Sequence, residues 1–204
     1  MSTNIQSPPR LDTVRRGQAD RARKWVVGGF VLVVLAGAAI VLLRLLGLIQ
    51  PMRNPNRSME PTVRPGDTIL VEGVSRLLGP PKRGDLLVFR TDGIKELPQE
   101  QVWIKRLVGL PREHLQISNA TLHINGIPTA MTSVEGPIQY RIPRAAESSF
   151  HRTNFDVPDG SLMVLGDNAT NSYDSRFWGY VPQANVVGRA IWVIWPPSRI
   201  RALH

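Results

Sequence analysis

The sequence predicts a mostly β domain of short antiparallel strands, preceded by one N-terminal helix that crosses a membrane. Three observations carry this. Residues 25–43 run without a single charge. After residue 50, short runs of β formers alternate with Gly- and Pro-bearing turns, and no further apolar run is long enough to span a bilayer. Glycine and proline number 17 each in 204 residues, too many for a helix bundle and too evenly spread for a disordered linker.

The elements follow in chain order. Residues 1–24, with Pro8, Pro9 and many polar groups, read as a disordered basic tail. Trp25 to Leu43 are uncharged, Arg44 interrupts, and Leu45 to Ile49 resume the apolar run. A helix rising 1.5 Å per residue needs about 20 residues to cross a hydrocarbon core of about 30 Å, so residues 25–49 read as an anchor. Arg44 lies near its far end, where it can snorkel to headgroups. Arg10, Arg15, Arg16, Arg21, Arg23 and Lys24 precede the run against Asp12 and Asp20. The positive-inside rule then leaves the N-terminus cytoplasmic and residues 50–204 outside. The cell membrane is the expected one, although the residues alone do not separate it from a thylakoid or organellar membrane. A cleaved signal peptide has a shorter apolar core with small residues after it; here Gly37-Ala38-Ala39 lies inside the run, which favours a retained anchor.

Pro51 to Pro61 reads as an extended or turning connection. Strands are expected at Thr68–Glu72, Asp85–Arg90 and Gln101–Gly109. Leu115–Ile117 and Thr121–Ile124 form a hairpin around Ser118-Asn119-Ala120. Residues 127–157 look irregular. Ser161–Leu165 is a strand that ends in Gly166-Asp167-Asn168, and Gln183 to Ile194 contains a closing strand.

Composition removes several function classes. The net charge is +9, but residues 1–50 hold seven basic against two acidic residues, so over half of the excess flanks the anchor. That distribution, with no aromatic-basic strand motif, argues against nucleic acid as partner. Cysteine is absent, which removes disulfides, zinc–thiolate sites and a cysteine nucleophile. The four histidines form no short metal-ligand spacing, and neither a GxxxxGK cradle nor a GxSxG elbow occurs. No metal or cofactor is expected.

Three features point to chemistry. Ser58 sits in Ser58-Met59-Glu60-Pro61-Thr62, on a proline-constrained segment just beyond the anchor. Lys105 lies inside a β-forming run whose alternation puts Trp103, Lys105 and Leu107 on one face and Ile104, Arg106 and Val108 on the other. A lysine in such a strand is ordinarily an edge charge; buried, its pKa falls and it can act as a base. The densest polar run, Gly166 to Gly179, carries Ser172, Asp174 and Arg176.

In this order, the pieces resemble bacterial type I signal peptidase, the membrane-bound leader peptidase family. The resemblance rests on Ser58 to Thr62, on Gly84-Asp85-Leu86-Leu87-Val88-Phe89, on Lys105-Arg106-Leu107-Val108-Gly109-Leu110-Pro111, and on Gly166-Asp167-Asn168 followed by Asn171 to Gly179. It implies a serine endopeptidase that removes N-terminal signal peptides at the outer face of the membrane, on a β-rich catalytic domain behind one span. Ser58 is then the nucleophile and Lys105 the general base, Ser172 orients the lysine amine, and Asp174 with Arg176 braces the loop. The Ser58 backbone N–H is the implied oxyanion donor. Many relatives place a serine hydroxyl two positions earlier; this chain has Asn56, whose amide is the candidate second donor. Met59, Val88, Ile104 and Leu107 are candidate walls of the substrate pockets. The implied partners are the lipid bilayer and secretory preproteins with small residues at positions −1 and −3, as in Ala-x-Ala sites.

Overall fold

A computed structural model of the chain describes residues 11–75, 79–141 and 153–203. It separates into two compact units, residues 1–46 and 47–204. The first is one helix, α1 (Leu11–Leu45). Its stretch Arg23–Leu45 has a mean hydropathy of 2.9, long and apolar enough to cross a membrane. The helix starts at Leu11, where a disordered tail was expected for residues 1–24. No proline interrupts residues 10–50, and Arg, Ala and Gln are good helix formers, so a helix already nucleated by the apolar run extends backward cheaply. The rest of the tail, residues 1–10, lies outside the described residues.

The second unit is built from strands. In chain order they are β1 (Ile49–Arg53), β2 (Thr68–Glu72), β3 (Leu86–Arg90), β4 (Val102–Gly109), β5 (His114–Ser118), β6 (Thr121–Ile124), β7 (Ile127–Thr129), β8 (Thr132–Ser133), β9 (Gly136–Pro137), β10 (Asn154–Asp156), β11 (Ser161–Leu165), β12 (Val181–Pro182), β13 (Val186–Trp195) and β14 (Arg201–Ala202). A four-residue helix, α2 (Ser175–Trp178), follows the polar run. The large sheet has the order β1-β2-β13-β3-β4-β11-β12, with β14 on β13; a second sheet has the order β10-β5-β6-β7. All pairings in them are antiparallel.

β1 occupies part of what the sequence suggested was a connection. Pro51 is tolerated there because β1 is an edge strand, where a missing N–H leaves no ladder bond unmade. β7 to β9 and β10 fall in the stretch read as irregular. Each has three residues or fewer, too short to leave a periodic signal. Residues 142–152 of that stretch lie outside the described residues.

Alternation along β3 and β4 sorts the side chains into two cores. Leu86, Val88 and Ile104 join Met59, Val63, Ile69 and Val193. Leu87, Phe89 and Leu107 join Leu162, Val164 and Trp178, with Trp103 packed against them. A third cluster, with Leu115, Ile117, Leu122, Phe155 and Met163, lies under the second sheet. The β5–β6 hairpin turns on Asn119 and Ala120, at φ 50° and 62°, the positive values a two-residue type I′ turn requires. Gly109 ends β4 where an added Cβ would lie 2.8 Å from Met163 Cβ, so the β4–β11 contact at this point requires glycine.

Candidate active site

Ser58 lies on the loop between β1 and β2, and the loop is tied down along its length. The Asn54 side chain is wholly buried and its Nδ2 donates to the Asn56 carbonyl at 2.8 Å and the Arg64 carbonyl at 3.2 Å. The Asn54 backbone N–H donates to the Asp67 carbonyl, and the Val63 N–H to the Met59 carbonyl, both at 2.8 Å. Met59, fully buried, anchors the loop in the core beside Val63 and Ile69. On the other side, the Asn168 N–H donates to the Ser58 carbonyl at 3.0 Å, and Asn168 Nδ2 to the Arg57 carbonyl at 3.1 Å. A nucleophile-bearing loop thus has its backbone fixed from two directions.

Lys105 reaches this loop from the middle of β4, opposite Leu87 of β3. Its Nζ lies 2.6 Å from Ser58 Oγ, although the two residues are 47 positions apart. Both are buried. Burial is the largest influence on the amine and brings its pKa down from 10.5 to about 8; the carboxylates of Asp174 and Asp167 oppose the fall, and the Arg176 guanidinium assists it. The Trp103 ring, centred 5.4 Å from Nζ, covers one side of the amine. A lysine so placed can shed its proton close to neutral pH, and the group beside it is a hydroxyl.

Two buried ion pairs frame the amine. Arg176 Nε and Nη2 donate to the two carboxylate oxygens of Asp174 at 2.8 and 2.9 Å. Asp174 also accepts the Gly166 N–H at 3.0 Å, and Arg176 Nη2 donates to the Ala169 carbonyl at 2.7 Å. The pair therefore closes the polar run back onto the end of β11. The second pair is Arg106 with Asp167, bidentate at 2.7 Å on both bonds. Thr62 Oγ1 donates to the same Asp167, which links this pair to the Ser58 loop. The sequence alone marks no role for Arg106, Asp167, Thr62 or Asn168. The available signal was the Lys105-Arg106 dipeptide. Adjacent strand residues face opposite sides, so if Lys105 is buried on one side, Arg106 needs a buried carboxylate on the other.

The remaining candidates fall into place differently. Ser172 is buried beside the site, and its Oγ has no hydrogen-bond partner among the described residues; the amine it was expected to orient donates instead to Ser58. It presses on Gly166, where an added Cβ would collide with Ser172 Oγ and the Ser58 carbonyl. Asn56 turns its carboxamide oxygen, not its amide nitrogen, toward Ser58: Oδ1 accepts the Ser58 N–H at 3.2 Å and the Ser58 hydroxyl at 2.8 Å. The cleft around Ser58 and Lys105, about 440 Å³, is lined by Asn56, Arg57, Trp103, Ser172, Tyr173 and Phe177 among others. Of the four expected pocket walls, Met59 and Ile104 lie in one core and Leu107 in another. Val88 lines a separate cavity of about 540 Å³ with Met52, Val71, Val102 and Val187. Among the described residues no group of three or more His, Cys, Asp or Glu is arranged to hold a metal.

A family model described as signal peptidase, peptidase S26, matches residues 23–195. The chain is similar to a signal peptidase I of Leptolyngbya laminosa, at 39% identity over 152 residues, spanning 73% of this chain and 70% of that one. It is similar to the probable signal peptidase I-1 of a Synechocystis species, at 34% identity over 171 residues and 82% of each chain. It is also similar to the chloroplastic thylakoidal processing peptidase 1 of Arabidopsis thaliana, at 33% identity over 75% of this chain and 44% of that one. A solved signal peptidase I from Enterococcus faecalis matches at 30% identity and a TM-score of 0.40, over 54% of this chain.

Proposed function

The chain belongs to the signal peptidase family, peptidase S26, and from that membership and the site geometry we propose that Ser58 and Lys105 form its catalytic dyad. The activity is that of a serine endopeptidase which removes signal peptides from preproteins. The observation that carries the residue assignment is the 2.6 Å contact between Lys105 Nζ and Ser58 Oγ, made by a buried lysine.

The reaction follows from these groups. A neutral Lys105 amine takes the Ser58 proton as Oγ attacks the scissile carbonyl carbon. Negative charge develops on the carbonyl oxygen, within reach of the Ser58 backbone N–H. The Lys105 ammonium then returns its proton to the departing amine, which leaves an acyl-enzyme. A water repeats the sequence, with Lys105 again as base, and frees Ser58. Asp174, Arg176, Arg106 and Asp167 act by holding loop and strand so that Oγ and Nζ stay in contact. Ser172, close-packed on Gly166, fills the space beside the amine.

Signal peptide removal implies secretory preproteins as substrates, and within that class we assign sites of the Ala-x-Ala type. The α1 helix serves as a single span with its N-terminus in the cytoplasm and residues 50–204 outside, at the cell membrane. Charge on the Arg21, Arg23 and Lys24 flank supports that orientation. Anchoring confines enzyme and substrate to one surface and raises their effective concentration. The test is cleavage of a preprotein bearing an Ala-x-Ala site by the full chain in detergent, beside Ser58→Ala and Lys105→Ala. Cleavage by the native chain and none by either variant is the expected result; cleavage by either variant refutes the dyad.

A further inference from the structure

The Ser58 backbone N–H and hydroxyl are both already engaged, and by the same atom. Asn56 Oδ1 lies 3.2 Å from the Ser58 nitrogen and 2.8 Å from its Oγ. The backbone N–H can only donate, so the carboxamide must present its oxygen, which fixes the orientation of the amide. That oxygen cannot donate, so the one hydroxyl proton of Ser58 points at Asn56. Lys105 then meets Ser58 Oγ as a donor, 2.6 Å away. A proton held toward Asn56 is not available to the amine. The N–H that a developing oxyanion would need is also taken.

We propose that Asn56 holds the site in a resting state. Its carboxamide oxygen occupies the position of the scissile carbonyl oxygen and keeps the Ser58 proton from Lys105 until substrate displaces it. The inference rests on reading Ser58 and Lys105 as the dyad. An asparagine that merely bends the loop would accept the N–H two residues on. It would not need to take the nucleophile's hydroxyl as well. The side chain is also built to leave. Asn56 is exposed at the cleft, and its Nδ2 makes no hydrogen bond to a described residue. Its backbone carbonyl is separately held by Asn54, so the side chain can turn while the loop stays in place. On displacement, the Ser58 hydroxyl turns its proton to the neutral amine and Oγ bonds the substrate carbon. The carbonyl π pair moves onto the substrate oxygen, and that oxygen takes the freed Ser58 N–H.

The experiment is steady-state cleavage of an Ala-x-Ala preprotein by the full chain in detergent micelles, for native protein, Asn56→Ala and Asn56→Asp, with Ser58→Ala as control. Releasing one or two neutral hydrogen bonds should raise kcat/KM of Asn56→Ala by roughly three- to tenfold, carried by a lower KM. Asn56→Asp keeps the acceptor and adds charge, so its hold on Ser58 tightens and KM should rise by about tenfold or more. A kcat for Asn56→Ala lower by about a hundredfold at unchanged KM would overturn the inference and make the side chain a transition-state donor. Unchanged constants in both variants would overturn it too, by leaving Asn56 a bystander. Cleavage by Ser58→Ala would instead remove the dyad, and the inference with it, whereas an inactive Ser58→Ala beside any of the other outcomes isolates Asn56.

Discussion

Replacing Lys105 with methionine should make the protein more stable at neutral pH while abolishing its activity. The amine is buried and its pKa stands at about 8 against an ordinary 10.5. That difference corresponds to about 3 kcal/mol of folding free energy, at about 1.4 kcal/mol per pH unit. The direction follows from proton binding. The unfolded chain holds the proton up to 10.5 and the folded chain releases it near 8, so the unfolded state binds more protons between those values. Stability of the native protein therefore rises with pH through that window, and the whole cost is present at pH 7. Methionine removes the cost and forfeits one hydrogen bond to Ser58, worth about 1 kcal/mol, which leaves a net gain of about 2 kcal/mol. For a chain of this size that is about 4–8 °C in Tm. The assay is thermal unfolding in detergent, followed by tryptophan fluorescence, at pH 7 and again at steps up to 10.5. The gap between variant and native protein should shrink across that range. A methionine variant less stable than native at pH 7, or a gap that does not change with pH, would refute the account of the buried amine.

Other outcomes follow from the same geometry. Arg176→Met leaves the Asp174 carboxylate buried without its partner and should destabilise by about 3–5 kcal/mol, read from the unfolding midpoint. Gly166→Ala drives a methyl group into the Ser172 side chain and the Ser58 carbonyl, so cleavage should drop sharply, and a fully active variant would show that the loop yields freely. Protease added outside intact cells should digest residues 50–204, whereas protection of that part would reverse the proposed orientation.

How far the sequence could be read depended on how local each signal was. Thr68–Glu72 and Ser161–Leu165 are strands with the bounds their residue patterns suggest, because alternation and flanking turns act over a few residues. β1 was hidden because it follows the anchor directly and contains Pro51, so its pairing with β2 is set by the sheet and not by its own propensity. No spacing rule brings Ser58 to Lys105, since only the β3–β4–β11 pairing and the Asn168 contacts carry the loop to the strand. Within the sequence, only the resemblance to a family links them. The Arg106–Asp167 pair was legible only in part, through the Lys105-Arg106 dipeptide, which calls for a carboxylate without saying which. A surface arginine and a buried one look alike in sequence, and only the carboxylate arriving from position 167 distinguishes them. Apolar type likewise cannot separate core from cleft, and Met59, Ile104 and Leu107 are core. The orientation of the Asn56 amide depends on a single torsion, which no sequence pattern encodes.

Transfer of the Ser58 proton to Lys105 is tested most directly by kcat/KM of Lys105→Arg on an Ala-x-Ala preprotein. Arginine keeps the positive charge and nearly the length, but its pKa lies so far above neutrality that no lone pair is free to take a proton. Activity below about a hundredth of native is the predicted result, the size of loss that general-base catalysis supplies. Retention of more than about a tenth would fall short of that contribution, and would leave Ser58 activated by some other group.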